Sequence, residues 1–79
     1  MISLEEALTK LKEGKRLELK FYLAGGLFSR HELSLDNGMI VDFSYVDDST
    51  TMTTIKEYKR GFYGRAFKKQ HVQLEEEYS

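Results

Sequence analysis

The chain has 79 residues, no cysteine, proline or tryptophan, and a formal net charge of −1. This length allows one small domain, which buries only about 60% of the surface that its unfolded chain exposes. Without cysteine, neither a disulfide nor a cysteine-type zinc site braces the thin core, so we expect a partner or a second copy to add stability. No apolar run approaches the roughly 20 residues of a membrane span and no signal peptide opens the sequence, so we expect a cytoplasmic protein.

The net charge conceals three blocks of different sign. Residues 1–53 carry six basic and nine acidic side chains, which gives −3. Residues 54–71 carry six basic and one acidic side chain, which gives +5, and residues 72–79 carry three glutamates. Charge blocks of this kind indicate how a protein meets its partners rather than how it folds.

The first segment predicts an amphipathic helix over residues 3–13. Ser3 and Glu6 have the spacing of a capping box, in which each side chain bonds the other residue's amide. Apolar side chains then recur at the helical interval from Leu4 to Leu11. Gly14 is suited to the left-handed conformation that ends a helix.

Beyond Gly14 the apolar period changes from 3.6 to 2, which is typical of half-buried strands. Three such runs cover residues 16–23, 27–35 and 39–46. Gly25-Gly26 and Asn37-Gly38 separate them, and such pairs favour tight hairpin turns. We therefore expect an antiparallel meander that the first helix covers on its apolar face.

A second apolar set falls on the opposite face of these runs. In the third run we place Met39 and its alternate neighbours on the covered face, which leaves Ile40 on the other. Tyr22, Phe28, Ile40 and Val46 then predict an apolar patch that binds a protein partner or a second copy. The alternatives are scattered surface residues, or cover by the C-terminal segment.

The last third of the chain leaves several alternatives open. Residues 49–54 fit either a polar edge strand or an extended loop. Thr54 and Glu57 repeat the capping-box spacing and favour a short helix over residues 54–60. Gly61 and Gly64 disfavour a continuous helix beyond it, and residues 62–67 could instead form a strand. Residues 70–74 could form a final strand.

The predicted fold class is α+β. It consists of an N-terminal amphipathic helix on a three- to four-stranded antiparallel sheet, with a short C-terminal helix or strand. We expect one domain over residues 1–74, followed by an acidic tail, residues 75–79, that frays.

Support for catalysis is weak, since the sequence has no nucleophile elbow, P-loop or zinc-protease motif. We interpret His31 as a packed, hydrogen-bonded group rather than a base or ligand. Asp42, Asp47 and Asp48 lack EF-hand spacing, and aspartates in a turn favour local hydrogen bonds over a shared ion. The sequence predicts no catalytic, cofactor or metal site, and we expect a protein that is not an enzyme.

Residues 56–69 interleave basic and aromatic side chains. Basic groups neutralise phosphates and aromatic rings stack on unpaired bases, so this pattern is typical of single-stranded nucleic-acid binding. The opposing interpretation places Tyr58, Phe62 and Phe67 in the core, with the basic residues as solvated surface. The candidate binding residues of this segment are Lys59, Arg60, Tyr63, Arg65, Lys68 and Lys69.

Two hypotheses follow from the sequence. The leading one is a small non-enzymatic module that binds a protein partner or itself; its size and lack of motifs suggest an accessory or inhibitor protein of a phage or mobile element. The alternative is a nucleic-acid-binding module that uses residues 56–69. No small-molecule substrate or cofactor is implied.

Overall fold

The computed structural model describes all 79 residues, in three α-helices and five strands. The strands form one antiparallel sheet in the order β4-β3-β2-β1-β5, and the helices pack on one face of it. This confirms the α+β class, although the sheet has five strands rather than three to four. In chain order the elements are α1 (Leu4–Lys12), β1 (Arg16–Tyr22), β2 (Phe28–Asp36), β3 (Met39–Ser44), β4 (Ser49–Thr54), α2 (Ile55–Arg60), α3 (Phe62–Lys68) and β5 (Val72–Tyr78).

The helix α1 forms where the sequence predicts it. The Ser3 hydroxyl accepts from the Glu6 amide at 3.1 Å, and the Glu6 carboxylate accepts from the Ser3 amide at 3.4 Å. Its buried face consists of Ala7, Leu8 and Leu11, which join the core above the sheet. The capping box therefore fixes where the helix begins, and the apolar spacing fixes which face it buries.

The three central strands form the predicted meander. In β1 the side chains of Leu17, Leu19 and Phe21 are fully buried, and the residues between them face away from the helices. A two-residue turn at Asn37 and Gly38 joins β2 to β3, and both residues have positive φ, as a hairpin turn of this kind requires.

The predicted phase of β3 is wrong. Ile40 is fully buried in the core, whereas Met39, Val41 and Phe43 face the uncovered side of the sheet. The hairpin register pairs Ile40 with Leu35, and side chains of paired residues share a face. Apolar residues lie on both sides of this strand, so the turn decides its phase and the apolar count does not.

The C-terminal third contains two short helices. Residues 49–54 form an edge strand, and α2 begins at the predicted capping box of Thr54 and Glu57. After an extended Gly61, residues 62–68 form the helix α3, so the strand alternative is wrong. A Cβ at Gly64 would lie 2.2 Å from the Tyr58 carbonyl oxygen, so glycine is what lets the two helices approach.

The acidic end belongs to the sheet and is not a frayed tail. The strand β5 starts at Val72 and pairs with β1 as far as Tyr78, which is opposite Arg16. The Glu77 carboxylate lies 2.8 Å from the Lys10 ammonium on α1 and 3.5 Å from that of Lys15. These cations offset the acidic charge that made the segment look unstructured.

Candidate functional site

The sheet face that the helices leave uncovered has an apolar half on β3, the start of the following turn, and β4. Val41 and Met52 are paired across the two strands, and the rings of Phe43 and Tyr45 meet edge to face at 5.0 Å. Met52 is 50% exposed and Tyr45 is 45% exposed. We call this surface the open apolar half, and it consists of Met39, Val41, Phe43, Tyr45 and Met52.

The other half of this face, on β1, β2 and β5, is charged, and most of its charges are paired. Arg30 binds Glu75 at 3.3 Å, and Arg16 lies 3.5 Å from Glu32. The ammonium of Lys20 lies 4.1 Å from the centre of the Phe28 ring, a cation–π contact.

Only two of the four patch residues that the sequence predicts lie together. Tyr22 and Phe28 are on the uncovered face, within its charged half, and Tyr22 donates to the Gln73 side chain at 2.8 Å. Val46 is 72% exposed in the turn between β3 and β4, and Ile40 is in the core. The open apolar half on β3 and β4 is therefore a different surface from the predicted patch, of which Phe28 lies on the neighbouring β2 and Tyr22 on β1.

The two edges of the sheet differ in chemistry. The edge strand β4 reads Ser-Thr-Thr-Met-Thr-Thr, carries no charge, and has five of its six residues exposed. The opposite edge, β5, carries Glu75, Glu76 and Glu77, and a bulge interrupts its pairing with β1 between Glu18 and Leu19. The Tyr78 hydroxyl donates to Glu76 at 2.7 Å, and this hydrogen bond raises the pKa of Tyr78 to about 12.

A chain of three buried polar side chains crosses the core beneath α3. Nδ1 of His31 lies 2.7 Å from the Asp42 carboxylate, and Nε2 lies 2.6 Å from the Ser29 hydroxyl. An ionised carboxylate only accepts, so Nδ1 donates to it, and in the neutral imidazole Nε2 then accepts from the serine hydroxyl. The interpretation of His31 as a packed, hydrogen-bonded group is confirmed.

Serine, histidine and aspartate in this order resemble a hydrolase triad, but their burial differs from that of a nucleophile site. Ser29 is 6% exposed, and the Tyr63 ring lies 4.5 Å from the His31 ring. We therefore assign the chain to the core. The apolar pattern does not identify Asp42 as the partner of His31, because the predicted phase of β3 places that carboxylate on the opposite face.

Of the two turn aspartates, Asp47 bonds locally. Asp47 accepts from the amide and the hydroxyl of Ser49, at 3.2 and 2.7 Å, and these hydrogen bonds lower the pKa of Asp47. No group of three or more histidine, aspartate or glutamate side chains is placed to hold a metal ion.

The basic segment lies on α2 and α3, and its aromatic residues divide between core and surface. Tyr58 and Phe67 are buried, and burial raises the pKa of the Tyr58 phenol far above its usual range. Tyr63 is half-buried, 4.9 Å from the Phe21 ring, whereas Phe62 is 58% exposed. The predicted binding residue Tyr63 thus faces the core, and its neighbour Phe62 faces outward.

Most cations of this segment have no acidic partner. Only Lys59 approaches a carboxylate, that of Glu5, at 3.9 Å. The remaining five form no ion pair: Lys56, Arg60, Arg65, Lys68 and Lys69.

A groove of about 710 Å³ separates α3 from the end of β1. Of the predicted binding residues, it brings together Tyr22, Arg65 and Lys69. The groove also contains residues outside the predicted binding set, above all Phe62 and His71. The spacing of Phe62, Arg65 and Lys69 along one helix face could have indicated this wall once the segment was known to be helical.

No protein-family model, curated protein or solved structure matches this chain. None of the three helices has the length and apolar character required to cross a bilayer.

Proposed function

We propose that the protein is a small non-enzymatic interaction module that binds a protein partner, or a second copy of itself, by strand addition to β4. The observation that carries this proposal is an uncharged, exposed edge strand that borders the open apolar half. Free edges present unpaired backbone donors and acceptors, which are a template for a further strand.

Proteins guard such edges with charge, proline or a bulge, and β4 has none of these within Ser49–Thr54. An added strand would bond to the backbone of β4 along its length. Because side chains of a strand alternate, every second residue of the partner would lie beside Thr50 and Met52 on the uncovered face. Apolar residues at those partner positions would extend the open apolar half.

The small core supports the same proposal. Only 13 hydrophobic residues are buried, and the chain has no disulfide. A partner strand that covers Met52 and Val41 would add apolar burial to a domain of marginal size. The role of an accessory or inhibitor protein of a phage or mobile element stays a prediction, and masking a partner's edge strand would suit it.

Site-specific photo-crosslinking tests this proposal in cells and with the pure protein. A benzophenone amino acid at Thr50 on β4 should give a discrete crosslinked species, to a second copy or to one partner. The same residue at Gln73 on β5, the matched position on the opposite edge, should give none. Equal crosslinking from both edges, or none from Thr50, contradicts strand addition at β4.

Light scattering separates the two partner types. A mass that rises with concentration from one chain toward two indicates self-association, whereas a constant single-chain mass with a discrete crosslink in cells indicates another protein. A constant single-chain mass with no crosslink at Thr50 would reject both.

A further inference from the structure

The groove beside α3 has one wall from a helix and one from the end of a strand. Phe62, Arg65, Ala66 and Lys69 line the first wall at helical spacing, so the ring and both cations share a face. The second wall consists of residues 22–24, at the end of β1. A volume of about 710 Å³ falls in the range of roughly 300–1,000 Å³ that holds a drug-sized ligand, which is the size class of a nucleotide.

The electrostatics of this groove favour an anion. Its lining contains Arg65, Lys69 and His71 and no acidic residue. Arg65 and Lys69 form no ion pair within the chain, in contrast to Arg16 and Arg30 on the sheet. The guanidinium of arginine binds phosphate oxygens in pairs, and lysine binds them as a point charge.

An exposed ring stands beside these cations. Phe62 is 58% exposed, and its ring meets the half-buried Tyr63 edge to face at 5.2 Å, so Tyr63 supports it from the core side. Every nucleic-acid base has a flat face that stacks on such a ring, whatever its sequence. The two unpaired cations therefore suit a phosphate, and the ring in the same groove suits the base of the same nucleotide.

We propose that this groove binds single-stranded nucleic acid, with Arg65 and Lys69 on the phosphates and a base stacked on Phe62. A duplex is the weaker ligand, because its bases are stacked on one another and do not reach Phe62. An acidic peptide offers the charge without the flat base. The site is separate from β4 and does not depend on the proposed function.

Fluorescence anisotropy with a short labelled oligo(dT) tests the proposal on the full chain. The affinity should fall steeply between about 50 and 200 mM salt, with a slope of roughly −0.7 for each phosphate contacted. Phe62→Ala should weaken binding by roughly 5- to 150-fold, the range that base–aromatic stacking supports. Since Phe62 is largely exposed, this variant should keep the fold, which circular dichroism checks.

Two matched charge variants locate the site. Lys69 lines the groove, so Lys69→Gln should weaken binding and reduce the magnitude of the salt slope by about 0.7. Lys56→Gln removes the same charge from α2, outside the groove. It should leave the affinity and the salt slope nearly unchanged. The proposal is overturned if both variants lose affinity equally, if oligo(dT) does not bind at 50 mM salt, or if poly-glutamate or a duplex binds as tightly.

Discussion

The two edges of the sheet differ in how open they are to an added strand. On β5, three consecutive glutamates, a bulge and two lysine contacts to Glu77 make the edge unsuitable for another strand. On β4, hydroxyl side chains and Met52 leave the backbone open to a partner. Because both edges belong to the same sheet, the difference lies in their side chains and in the β5 bulge rather than in the topology.

The two edges are also attached to the centre of the sheet differently. On the β5 side, ion pairs at the surface link Glu75 to Arg30 and Glu77 to Lys10. On the β4 side, the buried His31–Asp42 hydrogen bond links β2 to β3, and β3 in turn pairs with β4. Beyond the backbone pairing of each edge, the side-chain links are thus ion pairs at the surface on the β5 side and a buried polar chain on the β4 side.

The largest expected effect comes from cutting that buried chain. Asp42→Ala leaves the buried Nδ1 of His31 without an acceptor, so we expect a loss of about 2–4 kcal/mol in the free energy of unfolding. Hydrogen exchange should show that amides of β3 and β4 lose more protection than those of β1 and β5. Urea unfolding gives the free energy.

A matched control is Asp47→Ala, which removes a carboxylate with only local hydrogen bonds in an exposed turn. Its effect on unfolding should be clearly smaller. If the two variants unfold at the same urea concentration, or if the exchange change is uniform over the sheet, the buried chain does not anchor the β4 side.

The second prediction concerns the open edge directly. Met52→Lys places a charge on β4 of the kind that guards natural edges, and should weaken association with the partner or second copy at least tenfold, or about 1.4 kcal/mol. Gln73→Lys places the same charge on β5 and should change association little. Sedimentation velocity or titration calorimetry measures the affinity.

In this pair of variants, the thermal midpoint checks that any loss of association is not a loss of folding. Gln73→Lys also removes the acceptor of the Tyr22 hydroxyl, so it is the more demanding control for stability. A result in which only Gln73→Lys reduces association would move the docking surface to the opposite edge.

The third prediction tests the charged edge by pH. The Lys10 contact lowers the pKa of Glu77, so the ionised carboxylate stabilises the folded state above the pKa it has in the unfolded chain. This stabilisation is lost as pH falls through the folded-state pKa, which lies below the ordinary pKa of a glutamate. Glu77→Gln should therefore be less stable than the parent at pH 7, and the gap should close in acid.

Urea unfolding at a series of pH values measures that gap. Glu76→Gln is the matched control, because Glu76 lies beside Glu77 on β5 and forms no ion pair. A stability gap for Glu77→Gln that is independent of pH would show that the Lys10 contact contributes nothing at this edge.

The sequence predicts what its own local signals determine. The capping box at Ser3 and the Asn37-Gly38 turn act over a few residues, so α1 and the β2–β3 hairpin are readable before any tertiary contact is known. The phase of β3 was equally available from that turn. The apolar pattern alone does not give this phase, because Ile40 and Phe43 are both apolar and only the register shows which of them is buried.

Other features depend on contacts that are distant in the chain. Residues 75–78 look like a solvated tail until Lys10 and Arg16, more than sixty residues earlier, are placed beside them. The groove needs the end of β1 next to α3, and α3 needs the close approach at Gly64. Charge counts and periodicity contain none of this, so the side-chain composition of the groove was predicted only in part.

The smallest expected effect comes from making the charged edge strand β5 resemble the uncharged edge strand β4. Glu76→Thr replaces one glutamate of β5 with the residue that dominates β4; it removes the Glu76 acceptor of the Tyr78 hydroxyl but breaks no ion pair. Removing this one glutamate should leave association at low protein concentration unchanged, because Glu75, Glu77 and the bulge still protect the edge. Weak association through β5 should appear only at high protein concentration. Light scattering over a wide concentration range would detect it. Strong association from this one change would mean that charge, and not the bulge, keeps β5 closed, and the contrast between the edges would then rest on the glutamates alone.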